Sequence, residues 1–356
     1  MKKILIRLDK VSKAFGKNNV IKDFSLDVYE GEFLTLLGPS GCGKTTVLRL
    51  ISGLETVTKG KVYIDSVDVT DIDATKREVN TIFQNLALFP KMTVVENISF
   101  GLKMKKIPPN EINKRVKSII KLVKLEGLEN RYPNELSGGQ QQRVAIARGI
   151  IMNPKVLLLD ESLCSLDLKL KKSMQVELKK IQKKLGITFI YVTHAQDEAL
   201  SMSDRIVVIN NGKIEQIDSP ENIYQHPNSV FVADFIGEAN IIDAKVLDNK
   251  DSLKLSYFND QVICINTIEE FNIGETIKLV IRPENVIVSK EDKKGILGKI
   301  TGITYEGDST KLSIELNNEI MIDARIVDKD TFDEDDIVYI RFSKNFIVPL
   351  RNRYEK

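Results

Sequence analysis

The chain has 356 residues, 42% hydrophobic and 29% charged, with a formal net charge of +2 and no tryptophan; at roughly 150 residues per domain this predicts two or three domains with packed cores. Its longest apolar runs, such as Phe33-Leu34-Thr35-Leu36-Leu37 and Ile206-Val207-Val208-Ile209, are far shorter than the about 20 residues that span a bilayer, and Arg7 and Asp9 interrupt the first apolar stretch, which argues against a secretory signal and for a cytoplasmic protein. Residues 1–240 carry 35 basic against 28 acidic side chains and residues 241–356 carry 17 against 22; neither balance is extreme and no basic run interleaves with aromatics, so no nucleic-acid surface is expected.

Up to about residue 236, short apolar strands alternate with helical stretches, the pattern of an α/β sheet covered by helices. In Val11-Ser12-Lys13-Ala14-Phe15-Gly16, Phe15 is a candidate to stack on a purine, against the alternative of a core side chain. The run Phe33 to Leu37 reads as a central strand buried on both faces. Directly after it stands Gly38-Pro39-Ser40-Gly41-Cys42-Gly43-Lys44-Thr45, followed by Thr46 and a helical stretch over residues 45–52. This is the spacing and the context of a phosphate-binding loop. Its glycines let backbone N–H groups converge on phosphate oxygens, and the helix N-terminus adds partial positive charge. Lys44 is then expected on the β and γ phosphates and the Thr45 hydroxyl on Mg²⁺, so the loop predicts ATP and Mg²⁺ as its ligands.

Another strand-like run, Val79-Asn80-Thr81-Ile82-Phe83, delivers Gln84, an uncharged group suited to sensing magnesium or a water. A helical insert is expected over about 94–148, with Ile112, Val116, Ile119, Ile120 and Val123 at helical spacing. Near its end, Leu136-Ser137-Gly138-Gly139-Gln140 opens a helix over residues 140–150, with Ser137 in the capping position and two glycines exposing backbone N–H groups. That is a second anion-binding helix start. Because the first loop already covers a nucleotide from its own side, Ser137, Gly138, Gly139 and Gln140 must act elsewhere or on the nucleotide of a neighbouring chain, and a two-fold homodimer solves that geometry.

The apolar run at 156–159 ends in Asp160-Glu161, both at the carboxyl end of a strand, where open α/β sheets bind ligands. Asp160 suits the magnesium shell, and Glu161 remains to take a proton from the attacking water. Ser165-Leu166-Asp167 follows and is expected at the seam between two chains. The strand at 188–193 ends in His194, placed to donate to the γ-phosphate, whereas His226, in a Tyr-x-His-Pro loop, reads as a surface residue. After Gly237 the periodicity changes to two, and runs such as 253–255, 262–265, 277–281, 312–314 and 337–340 predict a small all-β, OB-like domain over 238–356, behind an α/β domain over 1–237. Cys42, Cys164 and Cys264 are widely spaced and odd in number, which argues against disulfides and a zinc site.

Together, the phosphate loop, Gln84, Leu136 to Gln140, Asp160-Glu161, Asp167 and His194, in this order, resemble the ATP-binding subunits of ABC transporters. The resemblance covers essentially the whole chain, since the tail with Ile281-Arg282-Pro283-Glu284 is similar to the carboxy-terminal regulatory domain of binding-protein-dependent importers, which by that similarity contacts the dimer mate and modulates activity. Among importers, residues 79–84, Leu88-Phe89-Pro90, Asp160-Glu161-Ser162-Leu163, Ser165-Leu166-Asp167 and Phe235-Ile236-Gly237-Glu238 are most similar to the polyamine (spermidine/putrescine) group, Ser162 standing where most sugar, sulfate and iron relatives have proline. The resemblance implies two copies of this subunit, two membrane permeases and an extracytoplasmic binding protein, at the cytoplasmic face of the membrane. It also implies a permease contact at residues 86–92 and the helical insert. Two positions depart from the family pattern: Cys164, where Ser or Ala is common, and Ala195, where Asp is usual, which raises the question of what anchors the loop after His194. An importer of sugar or iron is the nearest alternative. A soluble ABC ATPase would need a coiled-coil insertion or a second cassette, a non-catalytic regulator would lack Glu161 or His194, and a small kinase would have no use for residues 136–140.

Overall fold

The computed structural model describes residues 2–161, 167–250, 252–258, 261–267, 269–316, 320–327 and 332–351. The chain divides into two compact units, Met1–Pro220 and Glu221–Lys356.

The first unit is built from strands β1 (Ile4–Phe15), β2 (Asn18–Tyr29), β3 (Phe33–Leu37), β4 (Lys59–Ile64), β5 (Val67–Asp68), β6 (Val79–Ile82), β7 (Val156–Asp160), β8 (Thr188–Thr193), β9 (Arg205–Asn210) and β10 (Lys213–Asp218), with helices α1 (Lys44–Ser52), α2 (Val94–Met104), α3 (Pro109–Leu122), α4 (Gly138–Ile150), α5 (Leu168–Leu185) and α6 (Gln196–Met202). Six strands form one sheet in the order β10-β9-β3-β8-β7-β6, parallel from β9 to β6, and four form an antiparallel sheet, β2-β1-β4-β5. The near-continuous apolar runs of β3, β7 and β8 follow from burial on both faces. Phe33, Leu157, Leu159, Phe189 and Tyr191 enter a core shared with α2, α3, α4 and α5. Their alternating neighbours Leu34, Leu36, Val156, Leu158, Ile190 and Val192 enter a second core with α1 and the antiparallel sheet. The six-stranded sheet thus lies between a helical layer and a β layer.

Local signals set the helix ends. Thr93 and Glu96 form a reciprocal capping box at the start of α2, Pro109 stands in the first turn of α3, and α1 and α5 each end on a left-handed glycine, Gly53 and Gly186. Along α3 the buried stripe is Ile112, Val116 and Ile120, with Val123 just beyond and Ile119 half-buried.

In the second unit, α7 (Pro220–Gln225, opening at the boundary) and α8 (Val230–Phe235) precede β11 (Asn240–Asp248), β12 (Leu253–Tyr257), β13 (Gln261–Ile265), β14 (Thr276–Ile281), β15 (Val286–Ser289), β16 (Ile296–Tyr305), β17 (Thr310–Leu316), β18 (Ile320–Ile326), β19 (Ile337–Phe342) and β20 (Ile347–Arg351). Two five-stranded antiparallel sheets, β13-β12-β11-β14-β20 and β15-β19-β16-β17-β18, share one apolar core. Every second residue of β11 is buried, as the two-residue periodicity requires. The division at Pro220 falls before the change of periodicity at Gly237 because Arg282, at the end of β14, holds both helices. Its guanidinium donates to the carbonyls of Tyr224, Ala233 and Glu238 and lies 4.3 Å from the centre of the Tyr224 ring, while the Tyr224 hydroxyl donates to Glu284 at 2.7 Å. His226, just after α7, is exposed.

Candidate functional site

Four neighbouring parallel strands, in the order β3-β8-β7-β6, point their carboxyl ends to one edge of the sheet. At those ends lie Gly38, His194, Asp160-Glu161 and Gln84. Four segments far apart in sequence therefore meet along one rim, the place where open α/β sheets bind ligands.

The loop after β3 has no room for a side chain at its first glycine. A Cβ on Gly38 would lie 2.3 Å from the Ile209 carbonyl oxygen of β9 and 2.7 Å from Cys42 Sγ. Gly43, at φ 107°, is in a conformation that side chains avoid, and its Cβ would meet Ile21 Cδ1 at 2.5 Å. At Gly41 (φ 79°) a Cβ would meet nothing within 4 Å, so the turn lies open at its tip. Lys44, almost fully buried, donates from Nζ to the Gly38 carbonyl at 2.8 Å and the Pro39 carbonyl at 2.9 Å. Its ammonium thus lies inside the loop's own ring. Burial pushes the Cys42 thiol up, and its Sγ lies 3.9 Å from Lys44 Nζ.

Asp160 is the last residue of β7 and accepts a hydrogen bond from the Thr45 hydroxyl at 3.1 Å. Burial raises the Asp160 carboxyl above the ordinary range; the Thr45 bond offsets part of this and the nearby Glu161 charge adds to it. A half-buried carboxylate beside a hydroxyl, next to a phosphate loop, is the oxygen-donor set that suits Mg²⁺, which takes few protein ligands and completes its shell with phosphates and water.

Glu161 has left-handed backbone (φ 43°), an uncommon conformation for a residue with a side chain, and its N–H donates to the Val192 carbonyl of β8 at 3.0 Å. Its carboxylate is the meeting point of the rim. Gln84 Nε2 donates to Oε2 at 3.3 Å, and His194 Nδ1 lies 3.3 Å from Oε1. Gln84 and His194 are both exposed, so this triad faces solvent at the strand ends.

Ala195 does not leave the loop after His194 loose. Its N–H donates to Thr193 Oγ1 at 3.0 Å, and the Thr193 hydroxyl donates to Glu198 Oε2 at 2.5 Å. Glu198, 0% exposed, also accepts from the Tyr191 hydroxyl and pairs through Oε1 with Lys171 Nζ of α5 at 2.8 Å. Sequence reasoning missed both Glu198 and Lys171, because an acid in the first turn of a short helix reads as solvated. The available signal was Tyr191 and Thr193, two hydroxyls near the carboxyl end of a strand buried along its whole length.

At α4 the expected cap is present and reciprocal: Ser137 N–H donates to Gln140 Oε1 at 2.9 Å and Gln140 N–H to Ser137 Oγ at 3.4 Å. The box occupies those two groups and leaves the N–H groups of Gly138 and Gly139 without an intrahelical acceptor, as the start of any helix does. Ser137 and Gly138 are exposed, Gln140 is half-buried, and Gly139 is buried, so that its Cβ would strike Leu170 of α5 at 2.8 Å. Asp167 caps α5, accepting from the Leu170 N–H at 3.0 Å. Ser162, Leu163, Cys164, Ser165 and Leu166 lie outside the described residues. Phe15 is no core residue: it is 48% exposed at the end of β1, with Lys13 Nζ 4.8 Å from the ring centre.

The glycine loop between β3 and α1 and the acids that end β7 have the placement of a nucleotide site on an open parallel sheet, and the class they define is the ABC-type ATPase. Comparison with known families agrees: the ABC transporter model matches residues 21–164 and the TOBE domain model residues 279–348. The spermidine/putrescine import ATP-binding protein PotA of Vibrio cholerae is 48% identical over 94% of this chain and 89% of its own length, and that of Haemophilus influenzae is 46% identical over 94% and 90%. Among solved structures, the dimeric post-hydrolysis state of the ATP-binding cassette MJ0796, bound to ADP and Pi, is 34% identical with a TM-score of 0.55, covering 61% of this chain and 99% of that one. The chain belongs to the family of ABC transporter ATP-binding proteins that the spermidine/putrescine import proteins share. As a member it binds ATP and couples ATP hydrolysis to transport. No helix among the described residues is long and apolar enough to cross a membrane.

Proposed function

We propose that this chain is the ATP-hydrolysing subunit of a spermidine and putrescine importer, working as a homodimer against two membrane permeases at the cytoplasmic face, with an extracytoplasmic binding protein delivering the solute. The observation that carries the reading is the near-full-length similarity to spermidine/putrescine import ATP-binding proteins, at 46–48% identity. Supporting it, Gly38, His194, Asp160-Glu161 and Gln84 lie at the same ends of neighbouring strands.

ATP is held by backbone N–H groups of the loop and helix start from Gly41 to Thr46, and Lys44 exchanges its loop carbonyls for β- and γ-phosphate oxygens. Phe15 stacks on the base. Thr45 and Asp160, with Gln84 near, would hold Mg²⁺, which supplies charge neutralisation for the phosphates. Glu161 takes the proton of the attacking water as the water oxygen bonds to the γ-phosphorus and the bond to ADP breaks. Gln84 and His194, both at 3.3 Å from the Glu161 carboxylate, orient that water, and His194 donates to the γ-phosphate. Ser137, Gly138, Gly139 and Gln140 of the partner subunit close the site from the other side with the start of α4, and Asp167 borders the seam. Removal of the γ-phosphate takes away what holds the two chains together, and that opening drives the permeases.

Transport by vesicles holding the whole complex tests the substrate. Labelled spermidine and putrescine should enter in an ATP-dependent way, while maltose and ferric iron should not; entry of maltose or iron alone would refute the polyamine reading.

A further inference from the structure

The loop that follows Gln84 contains two consecutive residues with left-handed backbone, Leu86 (φ 57°) and Ala87 (φ 45°). Residues with a Cβ resist this conformation, and a pair of them does not hold it unaided. Arg148, in the last turn of α4, grips both: Nη1 donates to the Ala87 carbonyl at 2.7 Å and Nη2 to the Leu86 carbonyl at 2.8 Å. Its guanidinium also lies 5.2 Å from the centre of the Phe89 ring. Among the described residues no carboxylate pairs with this arginine, although burial lowers its pKa; the planar fork serves two backbone carbonyls instead. The next residue, Gly149, accepts from Asn80 Nδ2 of β6 at 2.7 Å, so the end of α4 is tied to the strand before Gln84 as well as to the loop after it. Farther along, Asn97 of α2 holds the same loop, pairing with Phe89 N–H and with the carbonyls of Phe89, Met92 and Thr93.

The other end of α4 is the Ser137-Gly138-Gly139 turn, about 15 Å from Arg148 along a straight helix. We infer that Arg148 is a positioning residue that makes α4 a rigid link: binding of a neighbour's triphosphate at the Gly138-Gly139 end is transmitted by the Arg148 fork to Leu86 and Ala87, and so to Gln84 and residues 86–92. This rests on the two-chain ATP site proposed above but not on the identity of the solute.

Hydrogen exchange of the full chain carrying Glu161→Gln, with and without magnesium-ATP, tests it without permease or solute. In the parent, ATP should slow exchange both at residues 137–141 and at residues 84–92. Adding Arg148→Met should keep the slowing at 137–141 and reduce that at 84–92 at least fivefold. Arg148→Lys, which retains charge but not the fork, should fall between the two and serves if the methionine variant does not fold. Ala87→Gly added to Arg148→Met relieves the left-handed turn without restoring the link, so the response should stay lost. The inference is overturned if Arg148→Met leaves the ATP response at 84–92 intact, if it abolishes both responses together, or if Ala87→Gly restores the response. Absence of slowing at 137–141 in the parent would refute the two-chain site itself, a separate result.

Discussion

Glu198→Ala should damage the chain more than an acid on a short surface helix would. The substitution removes an acceptor shared by the Tyr191 and Thr193 hydroxyls and the ion-pair partner of Lys171. Breaking a buried pair by deleting one partner costs about 3–5 kcal/mol. Lys171 is only 17% exposed, and its remaining carboxylate, Asp197, lies at 3.5 Å and is largely solvated, so the loss is only partly relieved. Two hydroxyls also lose a charged acceptor, worth about 1.5–3 kcal/mol each before relaxation. These terms are not additive, and about 3–4 kcal/mol is expected, or roughly 6–16 °C in the unfolding midpoint of a unit this size. Urea unfolding of Glu198→Ala, Lys171→Met and the double variant measures the coupling, expected at 1 kcal/mol or more. Because Thr193 anchors the residues on both sides of His194, Glu198→Ala should also lower kcat for ATP more than it raises KM. A loss below about 1 kcal/mol, or purely additive single effects, would refute the role given to this carboxylate.

Four further outcomes follow from the rim. Glu161→Gln should lower kcat by about 10²-fold or more and accumulate an ATP-bound dimer, read by phosphate release and light scattering; a normal rate would remove Glu161 as the base. Lys44→Ala gives up the charged contact to the phosphates and should weaken ATP binding by roughly 10- to 100-fold, measured by calorimetry. Gly38→Ala cannot be seated without moving the Ile209 carbonyl, 2.3 Å from the new Cβ, and should lose nucleotide binding while the second unit still unfolds at its usual temperature. Asp160→Asn should abolish hydrolysis and yet stabilise the first unit. The Asp160 carboxyl is raised in the folded state, so its ionised form is a cost, absent below the ordinary carboxylate range and present in full once pH passes the raised value. The variant should therefore unfold at a higher temperature at pH 7, and the gain should disappear toward about pH 4; a gain that grows on acidification would reverse the argument.

What could be read along the chain was whatever local chemistry dictates. The strand, glycine loop and helix at 33–52, the apolar run ending in Asp160-Glu161, the Ser137 cap and the change of period after Gly237 are all set by neighbours within a few residues, where steric and hydrogen-bonding preferences act directly. The strand order could not be read this way. That β8 and β7 lie between β3 and β6, bringing Gly38, His194, Glu161 and Gln84 to one edge, depends on pairing between strands distant in the chain, such as Phe33 with Phe189, Val79 with Val156 and Val156 with Thr188. The same holds for side chains whose partners are distant. Glu198 looks solvated until Tyr191 and Lys171 enclose it, Arg148 looks like a helix-end cation until the Leu86 and Ala87 carbonyls face it, and Arg282 looks like one residue of a loop until α7 and α8 close over it. Local sequence specifies which elements form and what they carry; only burial, which raises the cost of every unpaired polar group, decides which distant groups must meet.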